Sequence, residues 1–145
     1  MARYSIAGRS TVVGTSARAV ASLFAVASRN FKLVEVGVFN TTATAVAVSL
    51  VRFTAATNVG AGLTEAPHDE LAPAQNATGF AGHTGDGTVG TTLRYASLGA
   101  AIGSGVIWTF GDGGIVCQSG TANGVGIICP TGTGQILDYY FEWYE

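Results

Sequence analysis

Charge is the scarcest property of this sequence. Lys, Arg, Asp and Glu together make up 11% of its 145 residues, where about a quarter is usual for a soluble domain. Disorder is excluded by the other side of the composition, since 48% of the residues are hydrophobic and such a chain can bury a core. The cations stand singly, with no basic cluster and no aromatic interleaving, so a nucleic-acid partner is not expected. No apolar run approaches the roughly 18 residues of a membrane span, and no membrane partner is expected either. Residues 19–28, AVASLFAVAS, are too short and weak for the core of a signal peptide and read as an extended strand. Cysteine is limited to Cys117 and Cys129, each in an apolar run. Two are too few for a disulfide scaffold or a cysteine metal site, and they read as buried free thiols.

What is abundant is small. There are 21 glycines, with much Ala, Val and Thr, which implies thin strands and many tight turns. Low charge leaves a weakly polar surface, which suits a protein that lives against other subunits. The few charges are unevenly placed. Residues 1–52 hold six cations against Glu35 alone, whereas residues 53–145 hold Arg94 against eight carboxylates. Pairing of early strands with late ones would bring these together; contact between subunits would use the same complementarity.

Alternation with period two is clearest at 31–53. Lys32, Val34, Val36 and Val38, then Val46, Val48, Leu50 and Arg52, recur at even positions around a polar link at Asn40-Thr41-Thr42. This predicts an antiparallel hairpin of 31–39 and 44–55, with the even valines facing the core. Short strands are also predicted at 3–7, 11–14, 88–98, 105–110, 115–118, 125–129 and 135–144. In the last, Leu137, Tyr139, Phe141 and Trp143 share one face, with Asp138 and Glu142 on the other. Residues 56–87 hold Pro67, Pro73 and both histidines and show no alternation. They predict a long surface loop, fixed by contact with a partner. About eight to ten short strands with regular turn signals point to one domain over residues 1–145, an all-β, jelly-roll-like antiparallel β-sandwich. An immunoglobulin-type sandwich is disfavoured because Trp108 precedes both cysteines.

No motif announces chemistry. Gly85-Asp86-Gly87-Thr88-Val89-Gly90 matches a dinucleotide fingerprint but leads into a strand-like run rather than a helix. His68-Asp69-Glu70 and His83 lack metal-site geometry and read as exposed loop residues. No nucleophile elbow is present. No catalytic residue, metal or cofactor is expected. The candidate contact residues are Arg3, Arg9, Arg18 and Arg29 of the basic third, His68, Asp69 and Glu70 of the long loop, and Tyr140 and Tyr144 on the polar face of the final strand.

The runs EVGVFNTTATAVAVSLVRFTAATNVGAGLTEAPHDE (35–70), GSGVIWTFGDGGIV (103–116) and TANGVGIICPTGTGQILDYYFEWYE (121–145) resemble tailed-phage capsid decoration, or cement, proteins of the jelly-roll type. The resemblance implies a non-enzymatic virion protein made in the host bacterial cytoplasm. It would sit on the outer capsid surface as a homotrimer and stabilise contacts between subunits of the phage major capsid protein. The alternative is a carbohydrate-binding jelly-roll module, a head fibre or receptor-binding knob, with Trp143, Tyr144 or Tyr140 stacking on sugars.

Overall fold

Strands whose side chains alternate between apolar and polar must bury one face, and here two sheets bury theirs against each other. The computed structural model describes residues 1–145. Its strands are β1 (Arg3–Arg9), β2 (Ala21–Phe24), β3 (Phe31–Asn40), β4 (Val46–Phe53), β5 (Ala66–Pro67), β6 (Thr78–Ala81), β7 (Val89–Leu98), β8 (Gly105–Thr109), β9 (Ile115–Cys117), β10 (Gly124–Ile128) and β11 (Leu137–Tyr144). Sheet A has the order β5-β1-β11-β3-β8, with β9 also on β3, and sheet B the order β6-β2-β10-β4-β7. All pairings are antiparallel. Setting aside the short β5, β6 and β9, the pairs nest: β1 with β11, β2 with β10, β3 with β8 and β4 with β7, alternately in sheets A and B. That is jelly-roll wiring, as the turn spacing predicts. There are eleven strands rather than eight to ten, because the long connection contributes β5 and β6.

The core lies between the sheets. Sheet A sends in Tyr4, Ile6, Val36, Val38, Leu137, Tyr139, Phe141 and Trp143, and sheet B sends in Ala21, Leu23, Val46, Val48, Leu50, Val125 and Ile127. Each fully buried Leu, Ile or Phe contributes about 1.5–3 kcal/mol over leaving it in water. β11 alternates along its whole length, as its sequence predicts. A second, smaller cluster of Ala19, Phe24, Val51, Phe53 and Ile128 packs with Val59, Phe80 and Val89. Its strand residues point away from the main core, on the outer face of sheet B.

Three expectations are corrected. The 31–39/44–55 hairpin does not form: β3 lies in sheet A and β4 in sheet B. The link between them crosses the sandwich instead of turning back. Asn40 sets that course, with its buried amide donating to the carbonyls of Thr44 (2.6 Å) and Gly99 (3.1 Å). The even-position pattern also breaks. Against β11, Glu35 pairs with Glu142 but Leu33 pairs with Trp143, so Val34 is an extra residue. This bulge moves the inward face from Phe31 and Leu33 to Val36 and Val38. Residues 11–14 form no strand.

Residues 56–87 are pinned by the chain's own contacts. β5 extends sheet A beside β1, β6 extends sheet B beside β2, and the Glu145 carboxylate accepts hydrogen bonds from the backbone N–H groups of Asn76 (2.7 Å) and Ala77 (2.6 Å). Cys117 and Cys129 are buried free thiols. Burial pushes the Cys117 thiol up to about 11, even though the Arg52 guanidinium lies 3.6 Å away.

Candidate interaction surface

The outer face of sheet A collects four of the candidate contact residues. β1 and β11 pair with Arg3 opposite Tyr144, Ala7 opposite Tyr140 and Arg9 opposite Asp138. Since β11 buries its odd positions, Tyr140 and Tyr144 share the outer face with Arg3 and Arg9. Arg9 grips Asp138 with two parallel bonds, Nε to Oδ1 at 2.7 Å and Nη2 to Oδ2 at 2.9 Å. This holds the Asp138 carboxyl below the usual carboxylate range. Arg3 pairs with Glu142 and lies over the Tyr144 ring, 5.8 Å from its centroid. The first and last strands thus bring together charges that are far apart in sequence.

Tyr140 is locked as well. Its hydroxyl donates to Glu35 Oε1 at 2.7 Å, and desolvation, with Glu35 second, raises its pKa. The ring lies flat on Gly37, where a Cβ would come within 2.0 Å of it. Its neighbour Phe39 stacks beside it, centroids 6.4 Å apart and planes 23° from parallel, and Phe39 in turn covers Gly105. The two glycines let two rings form a shelf against the sheet. Trp143, which the carbohydrate alternative uses as a stacking ring, is fully buried and stacks on Tyr4 inside the core. It faces inward because it shares the parity of Phe141.

A recess of about 600 Å³ at one end of the sandwich gathers Arg3, Arg29, His68, Asp69 and Tyr144 around Leu71, Pro73 and Glu145. His68 is held there by its backbone N–H, which donates to the Arg3 carbonyl at 2.9 Å. Asp69 shapes the next turn: its Oδ1 accepts from Leu71 N at 2.9 Å and its carbonyl from Ala72 N at 2.9 Å. A second hollow of about 440 Å³ adjoins, sharing Met1, Arg3 and Tyr144 and adding Lys32, Glu35 and Asp112. Both mix the two signs of charge. Arg9, Arg18, Glu70 and Tyr140 line neither recess. Arg18 stands on the approach to β2, with its Nε enclosed and unpartnered.

One polar residue escaped sequence reasoning. His83 is fully buried, not an exposed loop residue. Its Nε2 lies 2.7 Å from Ser22 Oγ and its ring 5.4 Å from that of Phe53, and burial lowers its pKa to about 4. A Ser–His contact of this length can activate a nucleophile, but no surface recess reaches this one. The available signal was Ser22 inside the apolar run Ala21–Phe24, a strand buried on both faces. No group of three or more His, Cys, Asp or Glu side chains is placed to hold a metal ion. No protein-family model, no curated protein and no solved structure matches the chain.

Proposed function

We propose that this chain is a non-catalytic structural protein of a bacteriophage virion, made in the host cytoplasm. It binds the outside of the capsid as a homotrimer and stabilises contacts between major capsid subunits. The observation that carries the reading is the end of the sandwich around Tyr144. There β1, the β2–β3 turn, the long connection and β11 bring Arg3, Arg29, His68, Asp69 and Tyr144 to one broad recess of mixed charge. The surface is open, carries both signs, and is pre-ordered by the bonds to Glu145 and Arg3. It offers docking contacts rather than a closed pocket around reacting groups. Modest contacts of this kind suffice when the same site is repeated over a symmetric shell.

Cosedimentation of purified protein with phage heads tests the reading. Binding is expected to expanded heads only, and Arg29→Glu or Asp69→Lys should weaken it with the β content unchanged. Wild-type protein that ignores heads before and after expansion overturns it. A second reading, a saccharide-binding module, has the Phe39–Tyr140 shelf in its favour; a glycan array without hits removes it.

A further inference from the structure

β7 and β8 are the end strands of their sheets and form one rim of the sandwich, joined by residues 99–104. At the opposite rim, the places beyond β1 and β2 are filled by β5 and β6. The sheets end there in strands of two and four residues, β5 carrying Pro67, whereas at the β7–β8 rim they end in strands of ten and five residues with no strand beyond them. Bare edges of monomeric proteins are ordinarily guarded by charged side chains or proline. Between Gly87 and Gly111 this sequence has no proline and one charge, Arg94. The rim also exposes three large apolar side chains: Tyr95 (68% exposed), Ile102 (76%) and Ile107 (52%). Register irregularities kink β7 toward its start, opposite Leu50 to Phe53, but from Arg94 to Leu98 it pairs residue for residue with β4.

The register sets these side chains on different flanks. Tyr95 lies opposite Ser49, on the outer side of sheet B. Ile107 lies opposite Gly37, on the outer side of sheet A. Ile102 stands in the turn between the two strands. The rim is thus a wedge with an apolar group on each side. Such a wedge fits between two like wedges, the Tyr95 flank of one copy against the Ile107 flank of the next. That contact is heterologous and closes when copies form a ring. The charges agree with a second copy as occupant. Arg94 has no carboxylate partner and lies over the Phe110 ring at 5.2 Å, while Asp86 and Asp112, which bracket the rim in sequence, have no cation partner. A neighbouring copy supplies the missing sign.

We infer that the β7–β8 rim is the surface through which copies of this chain bind one another, three in a closed ring, with Tyr95 of one copy against Ile107 of the next. The inference rests on the proposed reading of the chain as a homotrimer, from which it takes the number three, and is independent of what the assembly binds. Light scattering on wild type, Tyr95→Lys and Ile107→Lys, with circular dichroism to confirm the fold, tests the surface. The mass should fall threefold in either variant. Mild oxidation of the Tyr95→Cys/Ile107→Cys protein tests the geometry, with the native thiols silent because both are buried. The double variant should yield disulfide-linked species up to the trimer, and each single variant should yield none. Single variants that cross-link into dimers show a two-fold contact and overturn the ring. An oligomeric wild type whose mass the lysine variants leave unchanged overturns the rim while self-association stands. A wild type that is monomeric at every concentration overturns both. If it is monomeric and the lysine variants lose binding to heads, the rim serves another partner and the second copy is wrong.

Discussion

Between about pH 6.5 and 4, acid should loosen this fold through His83. The unfolded chain takes up a proton there near the ordinary value of 6.5, whereas the folded chain resists until about 4. The resistance is structural. One ring nitrogen faces Ser22 Oγ, the other has no partner, and the surroundings are the apolar cluster on sheet B. An imidazolium would place a charge there with one N–H unbonded. Because the folded value is depressed, the stabilisation is complete above about 6.5 and is lost as the pH falls toward 4. At 1.36 kcal/mol per pH unit, the loss by pH 4.5 is close to 3 kcal/mol, a large share of the roughly 5–15 kcal/mol of a typical domain. The Arg9-paired Asp138 also weakens the fold in acid, but only below its ordinary value of 3.8. The assay is urea unfolding between pH 4.5 and 7.5 in a His68→Gln background, which removes the only other histidine. With a slope of about 1.5–2.5 kcal/mol/M, the midpoint should drop by about 1–2 M in this background. It should stay nearly flat when His83→Gln is added. Parallel curves for the two proteins would refute the reasoning.

Glu145→Ala removes the acceptor for Asn76 N, Asn76 Nδ2, Ala77 N and Trp143 Nε1. At about 1.5–3 kcal/mol for a hydrogen bond to a charged group, a loss of at least about 2 kcal/mol is expected. Hydrogen exchange should accelerate first in residues 68–77. Gly37→Ala puts a methyl inside the Tyr140 ring, 2.0 Å from its nearest atom. It should cost about 1–3 kcal/mol as an overpacked site, with Tyr140→Ala in the same chain recovering part of the loss in thermal unfolding. Cys117 and Cys129 should resist a thiol reagent at pH 8 in the folded protein and react at once in denaturant, since burial both shields them and raises their pKa values.

β11 was legible in the sequence because its eight residues alternate without interruption and both sides of that alternation have work to do. The sandwich class was legible from turn signals between short strands. The hairpin was not, because a short polar link reads the same whether it reverses the chain within a sheet or carries it to the opposite one. What decides is Asn40, whose amide reaches Gly99, far along the sequence. The bulge left a trace that period counting overran: the large apolar residues are odd at Phe31 and Leu33 and even at Val36 and Val38. β5 and β6 have two and four residues, too few for a period to show. Of the surface, the charge asymmetry pointed toward the Arg3–Glu142 and Arg9–Asp138 pairs. The bare rim was hidden in plain alternation, because an edge strand and a central one share the same periodicity.

The sheet orders bear on how the chain is made. The middle place in sheet A belongs to β11 and the middle place in sheet B to β10. Until residues 124–145 leave the ribosome, β1 has no neighbour toward β3, and β2 none toward β4. A nascent chain of this sequence holds two split half-sheets whose inner edges, β1 and β3 in one and β2 and β4 in the other, are unpaired. It is then open to pairing with other nascent chains. Closing either sheet therefore waits for β10 or β11, and contacts so non-local slow folding. Shortening the sequence from its end by even β11 leaves sheet A in two pieces rather than merely narrower.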